Sequence, residues 1–242
     1  MKIDLCIPAY NEAPIIVDTL HTVLKSLPTL QGVSWHVTVA DNASTDGTGD
    51  VVRRLNLPDV SVLSVPVKGK GAAILAAAAQ SQGEAFGFID ADLSANPSSF
   101  GDLLTTILAG NDIAIGSRLM RGAAVHRGGL RTFSSEVFNY MRRVLLGVKV
   151  EDISCGLKLT NKQGRDILLQ CKELGWFLDV EWLALAQQSH LRIAEVPIEW
   201  VEQYYPGRKS KLRVVRDGLK AFAAFARIRT RLQTHTYGKT SL

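Results

Sequence analysis

A regular alternation of short apolar runs and helix-like segments constrains the fold most. Runs rich in Val, Ile, Leu and Phe are bounded by polar or glycine-containing turns, as is typical of buried strands. The segments between them carry apolar residues at helical spacing. The pattern predicts strands at 3–8, 35–40, 60–65, 85–89 and 112–116, with helices at 14–27, 51–55, 72–81 and 97–109.

Strands that alternate with helices on short connections form a mostly parallel sheet with helices on both faces. We therefore predict an α/β fold. After residue 117 we expect a helix to about 146, two helices flanking "GWFLDVEW", and a strand at "RIAEVPIEW". No linker or internal repeat is visible, so this half should complete the same domain. The predicted organisation is one domain at 1–206, a basic amphipathic segment at 207–232 and a disordered tail at 233–242.

Composition narrows the class of protein. With 46% hydrophobic and 21% charged residues, the 242-residue chain suits an ordinary globular domain. Its three cysteines are scattered and form no CxxC pair, which argues against a disulfide framework or a zinc site and favours a reducing cytoplasm. No apolar run approaches the length of a bilayer span, and no signal peptide is recognisable. We expect a cytoplasmic protein.

Polar side chains follow each of the five predicted strands. Because the carboxyl ends of parallel strands meet at one edge of a sheet, where ligands bind, the whole set favours a binding site. For any single residue, ordinary loop polarity would be an adequate explanation. The residues are Tyr10, Asn11, Glu12, Asp41, Lys68, Asp90, Asp92 and Arg118.

The acidic pair Asp90 and Asp92 indicates the kind of ligand. Two carboxylates one residue apart repel each other unless a cation or open water separates them. Mg²⁺ is typically held by one or two carboxylates together with phosphate oxygens of a substrate. The GxGxxG and GxxxxGK[ST] motifs are absent, which disfavours dinucleotide and P-loop sites. We therefore predict a divalent cation bridging this pair to a diphosphate, while "KGKG" at 68–71 is either a phosphate-binding turn or a solvated one.

Six motifs in order carry a family resemblance: "IPAYNE", "ADNASTDGT", the DxD at 90–92, "GSR", "DISCGLKL" and "FLDVEW". Together they resemble the inverting family-two glycosyltransferases of GT-A fold, above all the dolichyl-phosphate and polyprenyl-phosphate mannose synthases. The resemblance implies a nucleotide-diphospho-sugar transferase-like fold, a GDP-mannose or UDP-glucose donor, a polyprenyl phosphate acceptor and Mg²⁺ or Mn²⁺. It also implies site residues. Pro8, Ala9, Tyr10, Glu12, Asp41 and Lys68 would bind the nucleotide sugar, and Asp90 and Asp92 the metal.

The chemistry of the acceptor decides whether a base is needed. A sugar hydroxyl must lose a proton during attack, whereas a phosphomonoester, with a second pKa of about 6, is already an anion near neutral pH. A phosphate acceptor needs cations to hold it. The residues expected to do so are Arg118, Arg131, Arg208, Ser210 and Lys211, of which the last three follow the family's pattern with one extra residue in the loop.

Asp152 matches the patterns of two groups of enzymes within this family. In polysaccharide-forming relatives an acidic residue in this region is the base, and those enzymes also carry a QxxRW motif that this chain lacks. In the lipid-phosphate synthases an Asp recurs before a similar glycine-containing stretch. We favour an orienting role for Asp152 and keep, as the alternative, transfer to a glycan or glycolipid hydroxyl with Asp152 as base.

The C-terminal segment is strongly basic. Between Arg208 and Arg231 it has nine Lys or Arg and one acidic residue, with apolar residues at helical spacing. An amphipathic helix of this kind either lies on the cytoplasmic face of an anionic membrane or packs on the domain or on a membrane anchor protein. A noncatalytic lipid- or nucleic-acid-binding module is a third hypothesis. Few aromatic residues interleave with the basic ones, so we expect no nucleic-acid partner.

Overall fold

The computed structural model describes residues 1–126, 143, 145–201 and 214–234, and for His126 and residues 214–220 it describes the backbone alone. The strands are β1 (Lys2–Ala9), β2 (Ser34–Asp41), β3 (Val60–Ser64), β4 (Ala85–Ile89), β5 (Ile113–Ser117), β6 (Ala124–His126), β7 (Leu157–Asn161), β8 (Ile193–Pro197) and β9 (Glu199–Val201). The helices are α1 (Ile16–Ser26), α2 (Thr48–Leu55), α3 (Lys70–Gln80), α4 (Phe100–Leu108), α5 (Lys162–Leu168), α6 (Leu178–Gln188) and α7 (Val214–Thr234), with a 3₁₀ turn at Pro97–Ser99.

A seven-stranded sheet in the order β3-β2-β1-β4-β7-β5-β8 forms the centre of the molecule. All neighbouring strands are parallel except β7, which runs antiparallel between β4 and β5. A second sheet pairs β6 with β9. Parallel strands joined by helical crossovers need cover on both faces, and β4 and β5 are accordingly buried along their whole length. The mostly parallel α/β sheet predicted from the sequence is confirmed.

Two apolar clusters lie on opposite faces of the sheet. One is built from side chains of α1, α2 and α4, and the other from side chains of α3, α5, α6 and α7. Strand β4, "AFGFI", is buried along its whole length, as expected of a strand covered on both faces. Its alternate side chains enter different clusters, Phe86 and Phe88 on one side, Ala85 and Ile89 on the other. The result is three layers, with the helices covering both faces.

Some element boundaries differ from those predicted. "LDVEW" was expected between two helices, but it forms the first turns of α6, and Phe177 precedes the helix as its N-cap. The single strand expected at "RIAEVPIEW" is divided into β8 and β9, which belong to different sheets. Helix α7 continues to Thr234, so Gln233 and Thr234, expected in a disordered tail, are helical. The helix expected before residue 146 lies mostly outside the described residues.

The second half of α7 packs on the domain. Ala221, Ala224, Phe225 and Ile228 are at most 5% exposed, and the Phe225 ring meets the Phe177 ring edge-on at 6.1 Å. The basic segment was predicted either to lie on a membrane or to pack on the domain or on an anchor protein. This part of the helix packs on the domain. None of the described helices has the length and apolarity needed to cross a membrane.

Candidate active site

A cavity of about 310 Å³ opens at the carboxyl edge of the sheet, where β1, β2 and β4 end. Strand ends converge there because parallel strands share one polarity, as the sequence predicted. Seven predicted site residues line the cavity, namely Pro8, Ala9, Tyr10, Glu12, Lys68, Asp90 and Asp92. Five further residues line it. Gly69 and Lys70 belong to the "KGKG" turn, for which phosphate binding was one of two predictions, whereas Asn42, Ala91 and Trp176 were not predicted.

The acidic pair directly follows β4 and is held by the backbone. The amide of Asp90 donates to the carbonyl of Gly156 at 3.1 Å, and the amide of Leu93 donates to the carbonyl of Asp90 at 3.1 Å. The Asp92 carboxylate accepts from the amide of Ser94 at 3.1 Å. Leu93 has a φ of 49°, a left-handed conformation that is costly for a residue with a side chain and that recurs at functional sites. This turn presents both carboxylates to the cavity.

Lys70, at the start of α3, is the cation beside this pair. Its Nζ lies 2.6 Å from Oδ1 of Asp90, and its side chain is 11% exposed. Burial would lower the pKa of Lys70, but the charges of Asp90, Asp179 and Asp92 outweigh it and raise the pKa above its ordinary value. Lys68, the lysine of the same turn that was predicted as a site residue, instead has its Nζ 5.5 Å from the centre of the Tyr10 ring. Both lysines therefore reach the cavity.

Asn42 fixes the glycine-lysine turn in place. Its amide nitrogen donates to the carbonyl of Val67 at 2.6 Å, and its amide oxygen accepts from the backbone of Gly69 at 2.7 Å. Asp41, predicted to bind the nucleotide, is absent from the cavity lining, and its carboxylate accepts from the amide of Ser44 at 3.2 Å. The direction of successive side chains at the end of β2 accounts for the difference, because neighbouring residues in a strand point to opposite faces.

Among the described residues, Trp176 is the one farthest along the chain that lines the cavity. It is 65% exposed, and its ring centre lies 5.5 Å from Nζ of Lys70, a distance at which a cation is attracted to an indole. Its position in the "GWFLDVEW" motif was the only signal in the sequence.

Arg118 and Asp152 form a pair with each other beside the end of β5. Nε and Nη2 of Arg118 each donate to the Asp152 carboxylate at 2.6 Å, and the Arg118 amide donates to it at 2.8 Å. Burial would raise the pKa of Asp152, but these bonds and the Arg118 charge lower it below its ordinary value. Burial likewise opposes the charge of Arg118, yet Asp152 raises its pKa. Neither residue lines the cavity.

A buried lysine connects the Asp152 region to the start of α6. Lys158 is fully buried, and its Nζ lies 2.9 Å from Oδ1 of Asp179 and 2.9 Å from the carbonyl oxygen of Ile153. A second bond goes to the carbonyl of Cys155. Gly156 follows, and a Cβ atom added there would lie 2.0 Å from Oδ2 of Asp90. The "DISCGLKL" and "FLDVEW" motifs therefore meet in one buried cluster behind the acidic pair.

The remaining predicted acceptor residues lie outside the described part of the chain. They are Arg131, Arg208, Ser210 and Lys211. Their roles stay predictions.

The acidic pair fits a divalent cation of the kind that shares its coordination with a phosphate. Asp90 and Asp92 are the carboxylates that would hold it, and Asp90 already attracts a positive charge. Within the described residues, no group of three or more His, Cys, Asp or Glu could form an all-protein cage. Mg²⁺ usually binds one or two carboxylates and completes its shell with water and substrate oxygens, so a pair suffices.

Comparison with known proteins identifies the family. The model of glycosyl transferase family 2 matches residues 4–166, which include the acidic pair, Arg118 and Asp152. The chain belongs to glycosyl transferase family 2. This confirms the family predicted from the six motifs.

Several family members are similar over most of this chain. It is 32% identical over 213 residues to the dolichyl-phosphate beta-glucosyltransferase ALG5C of Trichomonas vaginalis, covering 81% of this chain and 63% of that protein. It is 31% identical over 212 residues to the polyprenol monophosphomannose synthase of Mycolicibacterium smegmatis, covering 81% and 76%. It is 28% identical over 223 residues to glycosyltransferase AglD of Haloferax volcanii, covering 90% and 35%. The chain thus spans less than two thirds of AglD and of ALG5C.

A solved structure confirms the GT-A fold. Glucosyl-3-phosphoglycerate synthase from Mycobacterium tuberculosis, in complex with Mn²⁺, UDP and glucosyl-3-phosphoglycerate, superposes with a TM-score of 0.67 at 22% identity. The match covers 98% of this chain and 82% of that one. At this identity the likeness concerns the fold.

Proposed function

We propose that this family-2 protein transfers mannose or glucose from a nucleotide-diphosphate sugar to a polyprenyl phosphate of the dolichyl type, with inversion at the anomeric carbon. The observation that carries the proposal is the cavity at the carboxyl edge of the sheet, where Asp90 and Asp92 lie beside Lys70 and Lys68. Carboxylates next to lysines suit a metal-bound diphosphate, because both the cation and the lysines attract its charge.

The donor would occupy the cavity along the end of β1. Pro8, Ala9, Tyr10 and Glu12 would line the nucleoside portion, and the two lysines would face its diphosphate. The names of the relatives support both sugars, since ALG5C is a glucosyltransferase and the mycobacterial relative a mannose synthase. UDP in the structural neighbour supports a nucleotide donor in a fold of this type. GDP-mannose and UDP-glucose are therefore the donors to test.

Departure of the nucleoside diphosphate is the step that this site would assist. As the glycosyl bond breaks, negative charge grows on the leaving phosphate, and fixed positive charges nearby lower the barrier. Mg²⁺ or Mn²⁺ held by Asp90 and Asp92 would supply such a charge and act as a Lewis acid. Lys70 is placed for the same purpose, since its ammonium is kept in the charged state beside Asp90.

The surroundings of Asp152 support a phosphate acceptor. Asp152 is 3% exposed, and its carboxylate accepts three hydrogen bonds from Arg118. A general base must reach the proton that it removes and be able to hold it. The burial of Asp152 opposes the first requirement, and the lowered pKa of its carboxyl opposes the second. We propose that Asp152 orients Arg118. A phosphate nucleophile requires no base, so inversion would follow from direct attack opposite the leaving group.

The acceptor side would be basic. We propose that Arg118, which directly follows β5, contributes to the phosphate site and that Arg131, Arg208, Ser210 and Lys211 complete it. A lipid acceptor also implies that the protein works at the cytoplasmic face of a membrane as a peripheral protein, alone or with an anchor protein.

The test is a transfer assay with purified protein. Radiolabelled GDP-mannose or UDP-glucose is incubated with Mg²⁺ or Mn²⁺ and polyprenyl phosphate, and the organic extract is counted. We expect a lipid-extractable sugar that is labile to mild acid and absent when polyprenol replaces its phosphate. No product with either donor, or equal product with polyprenol, would contradict the proposal.

A further inference from the structure

The C-terminal helix is tied to the domain by charge as well as by apolar packing. Arg227 and Arg231, one turn apart on α7, both reach Glu173, with nitrogen-to-oxygen distances of 3.0 and 3.2 Å. Arg231 also lies 2.6 Å from Oε1 of Glu181. We call this set of two arginines and two glutamates the arginine clamp. The glutamates are 7% and 1% exposed, so they depend on these partners.

The clamp holds the segment that precedes α6. Oε2 of Glu181 accepts from the backbone amides of Lys172 and Glu173 at 2.8 and 2.7 Å. One carboxylate thus joins α7 to the start of residues 171–177, which we call the Trp176 loop. Arg231 satisfies the other oxygen of this buried carboxylate. Without Arg231, Glu181 would be a buried carboxylate lacking this cation, which would weaken its hold on the loop.

The Trp176 loop in turn forms the wall of the cavity. The carbonyl of Leu174 accepts from the amide of Ala72 at 2.9 Å. Cβ atoms added at Gly69 and Gly71 would lie 2.0 Å from the carbonyl oxygen of Leu174 and 2.7 Å from that of Glu173. The glycine-lysine turn therefore lies flat against the loop, with no room for a side chain between them. A shift of the loop must displace this turn.

Lys70 sits where these contacts converge. It starts α3 between the two glycines, its Nζ faces the Trp176 ring at 5.5 Å, and it pairs with Asp90 at 2.6 Å. Contacts therefore run without interruption from Arg231 through Glu181 and the loop to Lys70 and the acidic pair. Each link is a packed backbone segment or a charged hydrogen bond, which are the contacts through which coupling between distant sites can be carried.

We propose that Arg231, assisted by Arg227, is a positioning residue for the donor cavity: docking of α7 through the arginine clamp sets the place of Trp176 and Lys70. The inference rests on the proposed function in that it takes the cavity to be the donor site. The basic segment would thus support the cavity wall without lining the cavity itself. This role uses the two arginines that pair with Glu173, of which Arg231 is the less exposed. Arg229 lies at an exposed position of the same helix.

Calorimetry of nucleotide binding tests the positioning role. UDP and GDP are titrated, with Mn²⁺, into the full-length protein and its Arg231→Ala, Arg231→Lys and Arg229→Ala variants. We expect Arg231→Ala to weaken binding by about tenfold, the size of a typical coupling between sites. Arg231→Lys should recover part of the loss because it restores the charge, and the matched control Arg229→Ala should bind as wild type. Unchanged affinity in a folded Arg231→Ala protein would overturn the inference.

A second readout requires no nucleotide. Each protein is compared with the same protein carrying Trp176→Phe in addition. The difference between the two fluorescence signals belongs to Trp176 and excludes the other three tryptophans. Acrylamide should quench Trp176 more strongly in Arg231→Ala than in Arg229→Ala, because the loop loses its anchor. If wild type binds neither nucleotide, the proposed function fails and equal quenching would separately overturn the positioning role. Should Arg231→Ala not fold, Arg227→Ala, whose side chain is 53% exposed, decides the matter by the same two measurements.

Discussion

Two groups of acidic residues differ in what surrounds them. The side chain of Asp90 is 34% exposed beside an open cavity. The side chains of Asp152, Asp179 and Glu181 are at most 8% exposed, and each pairs with a cation from elsewhere in the same chain. The buried group comes from motifs that look as functional in the sequence as the DxD itself. Similar residue types thus line an open cavity in one region and form internal ion pairs in the other.

The difference follows from the cost of burying charge. A carboxylate without water must be paired, so its oxygens are committed to the protein and it is destabilising to remove the partner. A carboxylate at a cavity keeps lone pairs for a ligand. The buried region should therefore respond to mutation mainly in stability, and the cavity mainly in activity.

The largest effect is expected in the buried region, from Lys158→Met. The substitution leaves Asp179 buried without its cation, so the free energy of unfolding should fall by about 3–5 kcal/mol. Urea denaturation measures it. In the control, Lys158→Met with Asp179→Leu, most of the stability should return because neither charge remains. A single variant as stable as wild type would contradict the assigned role of Lys158.

Asp92→Asn tests the cavity side of the comparison. The change keeps the shape of the side chain and removes the charge that we assign to metal binding, so kcat for sugar transfer should fall by about 10²–10³. The free energy of unfolding should change by less than about 0.5 kcal/mol. Asp102→Asn, an exposed acid on α4, is the matched control and should be fully active. Retained activity in Asp92→Asn would refute the division between the two groups.

Gly156→Ala addresses the boundary between the two regions. An added methyl group would lie 2.0 Å from the Asp90 carboxylate, and the ion pair with Lys70 leaves that carboxylate little freedom to retreat. Because small misplacements of catalytic groups are costly, transfer should slow by about a hundredfold. Gly101→Ala, where a Cβ would meet nothing within 4 Å, should leave the rate unchanged. Equal rates for both variants would show that Gly156 does not set the position of Asp90.

The stability contributed by the Arg118–Asp152 pair should depend on pH. Because Arg118 lowers the pKa of Asp152 in the folded protein, the pair stabilises the fold above the unfolded value of about 3.9, and this stabilisation is lost as pH falls through the folded pKa. At pH 7, Asp152→Asn should cost about 2 kcal/mol, the typical worth of a hydrogen bond to a charged group.

Urea titrations between pH 7 and pH 3 would follow this stability gap, which should shrink as the pH falls below about 4. The matched control is Glu151→Gln, at the residue next to Asp152, where the side chain is half exposed. Its free energy of unfolding should change with pH as that of wild type does. A gap that is constant down to pH 3 would argue against the assigned cause of the shift.

The sequence predicted the sheet and its functional edge well. Strand β4 was placed at 85–89, as observed, because an uninterrupted apolar run followed by a polar turn leaves little choice of boundary. Asp90 and Asp92 followed from their position after that strand. Motif order predicted the family, which the match over residues 4–166 confirms.

Contacts between distant segments could not be predicted. Lys70 and Lys68 are equivalent in sequence, and the choice between them depends on Gly69, whose φ of 140° redirects the chain. The sequence did not show that Arg118 and Asp152 pair with each other, because β5 and the Asp152 segment are distant along the chain. The spacing of α7 predicted an amphipathic helix but not its partners, because Glu173 and Glu181 come from another part of the chain.

Isothermal titration of UDP-glucose and GDP-mannose, with Mn²⁺ and with EDTA, tests the central claim most directly. The acidic pair should bind a cation that joins the protein to a sugar diphosphate. We predict that wild type binds at least one of the two donors with Mn²⁺, and that EDTA or Asp92→Asn greatly weakens this binding. Uptake of neither donor, or equal affinity with and without metal in both proteins, would contradict it.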